Sequence, residues 1–121
     1  MDSFSPKYKR PDREKLIQNA IIKKLRYEKW FVMVTHGNMF SEGWPDLYAT
    51  HTSYGARWVE VKKPNMKGSK FTPAQLDTFP KLCANGAGVW VLTGDSGAEY
   101  RKLFERFNWW HYTAVMKGNM T

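Results

Sequence analysis

The sequence predicts an α/β domain in which a mixed β-sheet is flanked by helices, in the order α-β-β-β-α-β-α. Two observations support this fold class. Residues 12–29 carry apolar side chains at three- and four-residue spacing, which is typical of an amphipathic helix. Residues 46–51 and 57–63 are short β-type segments joined by a turn, as in an antiparallel hairpin. A chain of 121 residues suffices for one such domain, which we assign to residues 12–121.

The segment before this domain, residues 1–11, is expected to form a basic N-terminal arm. It is polar and contains two prolines, so it would become ordered only against a partner. A solvated tail is the commoner role of such a run, and contact with phosphate is the alternative. The candidate phosphate contacts are Lys7, Lys9 and Arg10.

The domain is expected to open with a helix from Asp12 or Arg13 to about Lys29. Its predicted buried stripe comprises Leu16, Ile17, Ala20, Ile21 and Leu25. Residues 30–35 are continuously β-type, as expected of a central strand. A loop then leads to the hairpin, where Gly43 permits a close backbone approach before the first strand.

A second helix is predicted to begin at Thr72, which suits the N-cap, with Pro73 at the first helical position and Gln75 at the third. The residues expected to line it are Leu76, Phe79, Leu82 and Cys83. Residues 89–93 form a further buried strand, and the helix that precedes it acts as a crossover, so the sheet is mixed.

A terminal helix over residues 99–107 is expected to cover one edge of the sheet. The side chains expected to face inward are Tyr100, Leu103, Phe104 and Phe107. Trp109 and Trp110 follow, and their pattern leaves three roles open: closure of the core, a dimer contact, or stacking against an unpaired base.

Three charged side chains are expected to converge in the hairpin. Asp46 begins its first strand and Glu60 lies in its second, where Lys62 projects from the same face as Glu60 because strand side chains alternate. Two carboxylates at short range repel each other, so the arrangement favours a hard divalent metal. A metal held by two acids, with a lysine beside its bound water or a phosphate, is the arrangement expected for phosphodiester hydrolysis. The same alternation selects Lys62, and not Lys63, for this site.

These residues resemble a known nuclease family. Pro45-Asp46 followed by Glu60-x-Lys62 is similar to the PD-(D/E)xK motif. The wider pattern resembles its VRR-NUC (virus-type replication-repair nuclease) branch, in the stand-alone form found in phages. That pattern comprises an acid on the preceding helix, Gly43-x-Pro45-Asp46-Leu47, Glu60-Val61-Lys62-x-Pro64 and Thr72-Pro73-Ala74-Gln75. The resemblance covers residues 12–93 and keeps the order of the motifs.

The resemblance implies a restriction-endonuclease-like core and a metal-dependent DNA endonuclease. Mg²⁺ or Mn²⁺ would be bound by Asp46, Glu60 and the main-chain carbonyl of Val61. Glu14 would complete the metal site, often through water, although a first-turn acid also interacts favourably with the helix dipole. Gln75 would lie near the lysine and the scissile phosphate. We expect that one side chain does not serve both this role and the capping box.

Lys62 has three conceivable roles in such a site: to orient the attacking water, to deprotonate it, or to stabilise charge on the phosphate. The two neighbouring acids favour its charged ammonium form, so orientation and charge stabilisation are preferred.

The resemblance also implies a homodimer that acts on branched DNA, such as four-way (Holliday) junctions, since two sites related by a two-fold axis suit a junction. Nineteen basic against eleven acidic residues give a formal charge of +8, which favours a polyanionic partner. Lys67 and Lys70, in a basic loop beside the site, are candidate contacts to the DNA backbone. For Lys63, phosphate contact and plain solvation are equally good interpretations. Two alternative functions stay open: a catalytically silent nucleic-acid-binding module, and a nuclease whose specificity is supplied by partner proteins.

The remaining composition bounds the setting. Cys83 is the single cysteine, so no intramolecular disulfide can form, and a reducing compartment is expected. No apolar run reaches the length of a membrane span or a signal peptide. The protein is therefore expected in the cytoplasm, that of a host cell if phage-encoded, with no membrane partner and no secretion. The histidines lie too far apart for a structural zinc site.

Overall fold

The computed structural model describes residues 12–35 and 42–116, with side chains described as far as residue 112. The helices and strands, in chain order, are α1 (Arg13–Tyr27), β1 (Phe31–Val34), β2 (Leu47–His51), β3 (Gly55–Lys62), α2 (Pro73–Ala84), β4 (Val89–Thr93), α3 (Gly97–Arg101) and α4 (Trp109–Met116). The predicted arm, with Lys7, Lys9 and Arg10, lies outside the described residues.

The four strands form one mixed sheet in the order β1-β2-β3-β4. β2 pairs antiparallel with both β1 and β3, whereas β3 and β4 are parallel, so the predicted α/β fold and mixed sheet are confirmed. The expectation of a central strand at residues 30–35 is wrong, because β1 lies at an edge of the sheet. Phe31 is 66% exposed and Met33 52% exposed, and only Val32 is buried. A continuous apolar run does not distinguish an edge from a centre by itself.

α1 covers one face of the sheet. It begins after Asp12, whose side chain accepts a hydrogen bond from the main-chain N–H of Lys15. Its buried side chains are Ile17, Gln18, Ile21, Ile22 and Leu25. Leu16 was expected inside but is exposed, since the buried stripe is centred on positions 17, 21 and 25 and extends towards 18 and 22.

The opposite face of the sheet is covered by α2 and α4. Trp109 is fully buried and meets the rings of Phe71 and Phe79 edge-on, with centroids 4.8 and 5.0 Å away. Closure of the core is therefore confirmed for Trp109, while Trp110 is exposed. On α2 itself Phe79 and Cys83 are buried as expected, but Leu76 is exposed because Gln75 takes the inward position in its turn.

The C-terminal region differs most from the prediction. α3 begins at Gly97, and a 3₁₀ turn, Lys102–Phe104, follows it. These two short pieces replace the predicted single helix over residues 99–107, and α4 begins only at Trp109. The side chain of Asn108, in the segment between the 3₁₀ turn and α4, lies against β4. Its Oδ1 accepts from the main-chain N–H of Val91 at 2.7 Å and its Nδ2 donates to the Val91 carbonyl at 3.0 Å. The Asn108 amide thus caps the outer edge of β4 from the non-helical residues before α4.

Cys83 is buried, and burial raises the pKa of its thiol, as expected of a small hydrophobic core residue. Among the described residues, no helix has both the length and the apolar character needed to cross a bilayer.

Candidate active site

The hairpin of β2 and β3 holds two carboxylates against each other. Leu47 pairs with Val59, so the next pair along the ladder sets Asp46 opposite Glu60. The main-chain N–H of Asp46 donates to Glu60 Oε1 at 3.1 Å, and the N–H of Val61 donates to Asp46 Oδ2 at 2.9 Å. Each carboxylate is therefore oriented by the backbone of the opposite strand, and the predicted convergence of the two acids is confirmed.

Glu60 is almost completely removed from solvent, with 1% of its surface exposed. Burial, followed by the negative charge of Asp46, raises the pKa of Glu60 from 4.5 to about 8, although Lys62 and Gln75 favour its ionised form. The protein alone thus does not fully compensate two negative charges at this position. A cation beside the pair would relieve that repulsion.

Lys62 lies on the same face of β3 as Glu60, as the alternation predicted. Its Nζ is 3.1 Å from Glu60 Oε2 and donates to the main-chain carbonyl of Lys70 at 2.7 Å. The ammonium also lies 4.8 Å from the centre of the Phe71 ring. Because Lys62 is only 4% exposed, these contacts hold its charge at one place on the cleft wall.

Gln75 connects this cluster to the start of α2. Its Nε2 donates to Glu60 Oε2 at 2.8 Å, while its Oε1 accepts from the main-chain N–H of Thr72 at 3.0 Å. The hydroxyl of Thr72 accepts in turn from the main-chain N–H of Gln75, which completes the predicted capping box. One side chain thus makes both the capping contact and a contact with the candidate site, whereas a place for Gln75 beside a scissile phosphate stays a prediction. The two ends of an amide carry a donor and an acceptor, and here each end has its own partner.

Ser69 is a site residue that the sequence analysis missed. Its hydroxyl donates to the carboxylate of Glu14 at 2.7 Å and accepts from the main-chain N–H of Lys63 at 3.0 Å. It therefore fastens the loop after β3 to the first turn of α1. A serine in a polar loop gives no pattern that could have identified it.

These side chains line one open cleft of about 510 Å³. The lining residues include Glu14, Asp46, Glu60, Lys62, Ser69, Lys70, Gln75, and two that sequence analysis did not select, Glu42 and Trp44. Gly43 confirms the predicted close approach. Its φ is +88°, and a Cβ at this position would lie 2.8 Å from the main-chain oxygen of Ala74 at the start of α2.

The donor set of the cleft suits a hard divalent cation. Among the side chains that the structure describes, no three Asp, Glu, His or Cys residues are grouped to hold a metal. Asp46 and Glu60 are two acids that lie together in this cleft. Mg²⁺ is ordinarily held by one or two carboxylates, with water and substrate phosphate as its remaining ligands. Glu14 lines the same cleft but is bonded to Ser69, an arrangement compatible with a contribution through water.

The predicted DNA contacts divide between two surfaces. Lys70 is exposed and lines the cleft that contains the acids. Lys63 is half-buried and Lys67 is exposed, and both line a second cleft. The loop itself contains a 3₁₀ turn, Pro64–Met66, with Asn65 and Met66 at positive φ.

Two solved structures share this architecture. A VRR_NUC domain superposes with a TM-score of 0.58 at 22% identity, covering 75% of this chain and 95% of its own. A VRR_NUC domain protein gives the same TM-score at 19% identity, covering 76% of this chain and 86% of its own. No protein-family model and no curated protein matches the sequence. The chain therefore has a restriction-endonuclease-like α/β fold. More narrowly, it has the VRR-NUC fold, as the sequence resemblance implied.

Proposed function

We propose that the protein is a metal-dependent DNA endonuclease of the PD-(D/E)xK type. The observation that carries this proposal is the cross-bonded pair of Asp46 and Glu60, with Lys62 and Gln75 both on the Glu60 carboxylate. Buried charges oppose folding unless they are well paired, so such a cluster is a poor device for stability. At the floor of an open cleft it is typical of a catalytic site.

Asp46, Glu60 and the main-chain carbonyl of Val61 would hold Mg²⁺ or Mn²⁺, with Glu14 contributing through water. When bound, the cation would lower the pKa of a water molecule and neutralise charge on the phosphate. The protein's own part is to fix the ligands. The N–H groups of Asp46 and Val61 set the carboxylates, and the amide of Gln75 keeps the second oxygen of Glu60 in place.

Lys62 is proposed to orient the attacking water and to stabilise charge on the scissile phosphate. Its two closest partners, a carboxylate and a carbonyl, both accept hydrogen bonds, so they hold the Lys62 amine as a donor at the cleft wall. Its position on the cleft wall lets it face a phosphate that approaches the acids.

The proposed substrate is branched DNA, and the proposed active form is a homodimer, as for the stand-alone phage-type VRR-NUC proteins that the sequence resembles. A formal charge of +8 favours a polyanion. Contacts from Lys63, Lys67 and Lys70 would position the backbone without reading sequence, so the shape of the DNA would select the substrate.

The test is cleavage of four substrates by the purified protein: single strand, duplex, flap and four-way junction, each with Mg²⁺, Mn²⁺ or chelator. We expect the junction to be cut when a divalent metal is present and to stay intact in chelator. We expect light scattering to give the mass of a homodimer. Asp46→Asn serves as the control, which should bind the junction without cutting it. Binding by the native protein with no cutting of any substrate would favour the catalytically silent module.

A further inference from the structure

A second cleft, of about 400 Å³, lies beside the candidate active site and is lined by cations. Among the described residues its walls are formed by Arg13, Lys63, Pro64, Asn65 and Lys67. No acidic side chain is among these lining residues, and the ion pairs within the described part of the chain involve none of its three cations. The cleft therefore concentrates positive charge that is held in no ion pair among the described residues, and such a surface attracts an anion.

The two clefts share a wall. Glu14 and Lys62 line the first, and their immediate neighbours in the chain, Arg13 and Lys63, line the second. Because consecutive Cα atoms are about 3.8 Å apart, the two clefts lie side by side across both elements. Gly68 lies between them: it lines the first cleft, and a Cβ added to it would be 3.4 Å from the Nζ of Lys63.

We propose that the second cleft binds an internal backbone phosphate that neighbours the scissile phosphate in the same DNA strand. This inference rests on the proposed function, since it places the scissile phosphate in the first cleft. Lys63 is the anchor, because it is half-buried and its main-chain N–H is fixed by Ser69. Arg13 adds a planar guanidinium that can hold a phosphate through two hydrogen bonds. Lys67 lies exposed on the same cleft wall.

Such a contact positions the strand and takes no part in the reaction. Removing it should therefore weaken DNA binding and raise KM, with kcat within about twofold of the native value, since the lost contact is the same in ground and transition states. Removal of one charge-assisted hydrogen bond to phosphate should lower the affinity for DNA about tenfold. Each lost phosphate contact should also flatten the salt dependence of binding, with the log–log slope changing by about one.

The first experiment measures binding without cleavage, in a Glu60→Gln background with chelator, so that it does not depend on nuclease activity. Arg13→Ala and Lys63→Ala should each weaken junction binding about tenfold. Lys23→Ala is the matched control: it removes the same charge from α1 about 15 Å further along the helix axis. A loss in Lys23→Ala equal to that in Arg13→Ala would overturn the proposal, because it would mean that only net charge matters. Arg13 is exposed, so its replacement leaves the core intact if Lys63→Ala should fold poorly.

The second experiment identifies the phosphate by replacing single linkages of the DNA with uncharged methylphosphonates. Replacement of one internal linkage should weaken binding of the DNA to the protein that retains Lys63, and the same replacement should not weaken binding to Lys63→Ala any further. The proposal requires this linkage to neighbour the cut made by the native protein. The proposal would be overturned if the effect of Lys63 depended only on a terminal 5′-phosphate, or if it depended on none of the linkages. Suppose that the native protein binds DNA and cuts nothing. An internal linkage whose replacement affects only the protein that retains Lys63 would then still support the phosphate site, so failure of the nuclease proposal would be distinguished from failure of this one.

Discussion

The two clefts, each lined by part of residues 62–70, hold their charges in opposite ways. In the first, Glu60 and Lys62 are 1% and 4% exposed, and each has hydrogen-bond partners on the strand, the loop or α2. In the second, the cations are half-buried or exposed and take part in no ion pair among the described residues. Buried, fixed charges are little screened by salt, whereas exposed ones act over about a Debye length and are screened. Fixed charge suits a reaction, and exposed charge suits capture of a polymer.

The largest expected effect separates cutting from binding. Asp46→Asn and Glu60→Gln should each reduce the cleavage rate by a factor on the order of a thousand or more, because both carboxylates are proposed metal ligands. Junction affinity in chelator should change less than about threefold, since the cations that are proposed to contact phosphate are untouched. Asp77→Asn, which alters an exposed acid on α2, is the control and should cut normally. Parallel loss of binding and cutting in the two site variants would contradict the division between the clefts.

The second prediction compares two adjacent lysines. Lys62→Ala should lower kcat by a factor on the order of a hundred to a thousand while Mn²⁺ still binds, because the ammonium is proposed to act on the phosphate and not to hold the cation. Lys63→Ala should instead raise KM and leave kcat nearly unchanged. Single-turnover cleavage and metal titration of both variants measure this. Lost metal affinity in Lys62→Ala would remove the role proposed for it.

The third prediction concerns stability against pH in the first cleft. The pKa of Glu60 is raised from 4.5 to about 8 in the folded protein, so between these values the folded state binds a proton that the unfolded state has released. The free energy of unfolding should therefore fall as pH rises from about 4.5 to 8 in chelator. Thermal melts measure this slope, and Glu60→Gln should flatten it. Mg²⁺ should also flatten it, because a cation favours the ionised carboxylate. Identical slopes in the native protein and Glu60→Gln would mean that Glu60 is not the group responsible.

The smallest effect is expected at the wall that the two clefts share. Ser69→Ala removes a hydroxyl that bonds both Glu14 and the main-chain N–H of Lys63, and a net loss of about 1 kcal/mol corresponds to a change of about fivefold in kcat/KM. Glu14→Gln should have an effect of similar size if Glu14 acts through water. Ser53→Ala, in the exposed turn between β2 and β3, is the control and should be silent. If Glu14→Gln cleaves at the wild-type rate, the role of Glu14 is limited to its interaction with the helix dipole.

The sequence alone was sufficient for the elements and residues whose pattern is local. The period of two along β3 places Glu60 and Lys62 on one face, and the short turn before β3 fixes the antiparallel partner that brings in Asp46. Thr72, Pro73 and Gln75 predict the start of α2 because capping involves residues three apart in the chain. The hairpin and the capping box are each determined by contacts within a few residues of a turn or a helix end.

Tertiary structure decided whatever depends on contacts between distant segments. Ser69 and Glu14 are 55 positions apart, and no periodicity links them. The position of β1 at an edge depends on which strands pair, and the hydrogen bond of Gln75 to Glu60 depends on where α2 packs against β3. Arg13 and Lys63 belong to one cleft only because the first turn of α1 lies beside the end of β3. Local patterns report the direction of a side chain within its own element, whereas a site is formed by the packing of several elements, which is set by the whole core at once.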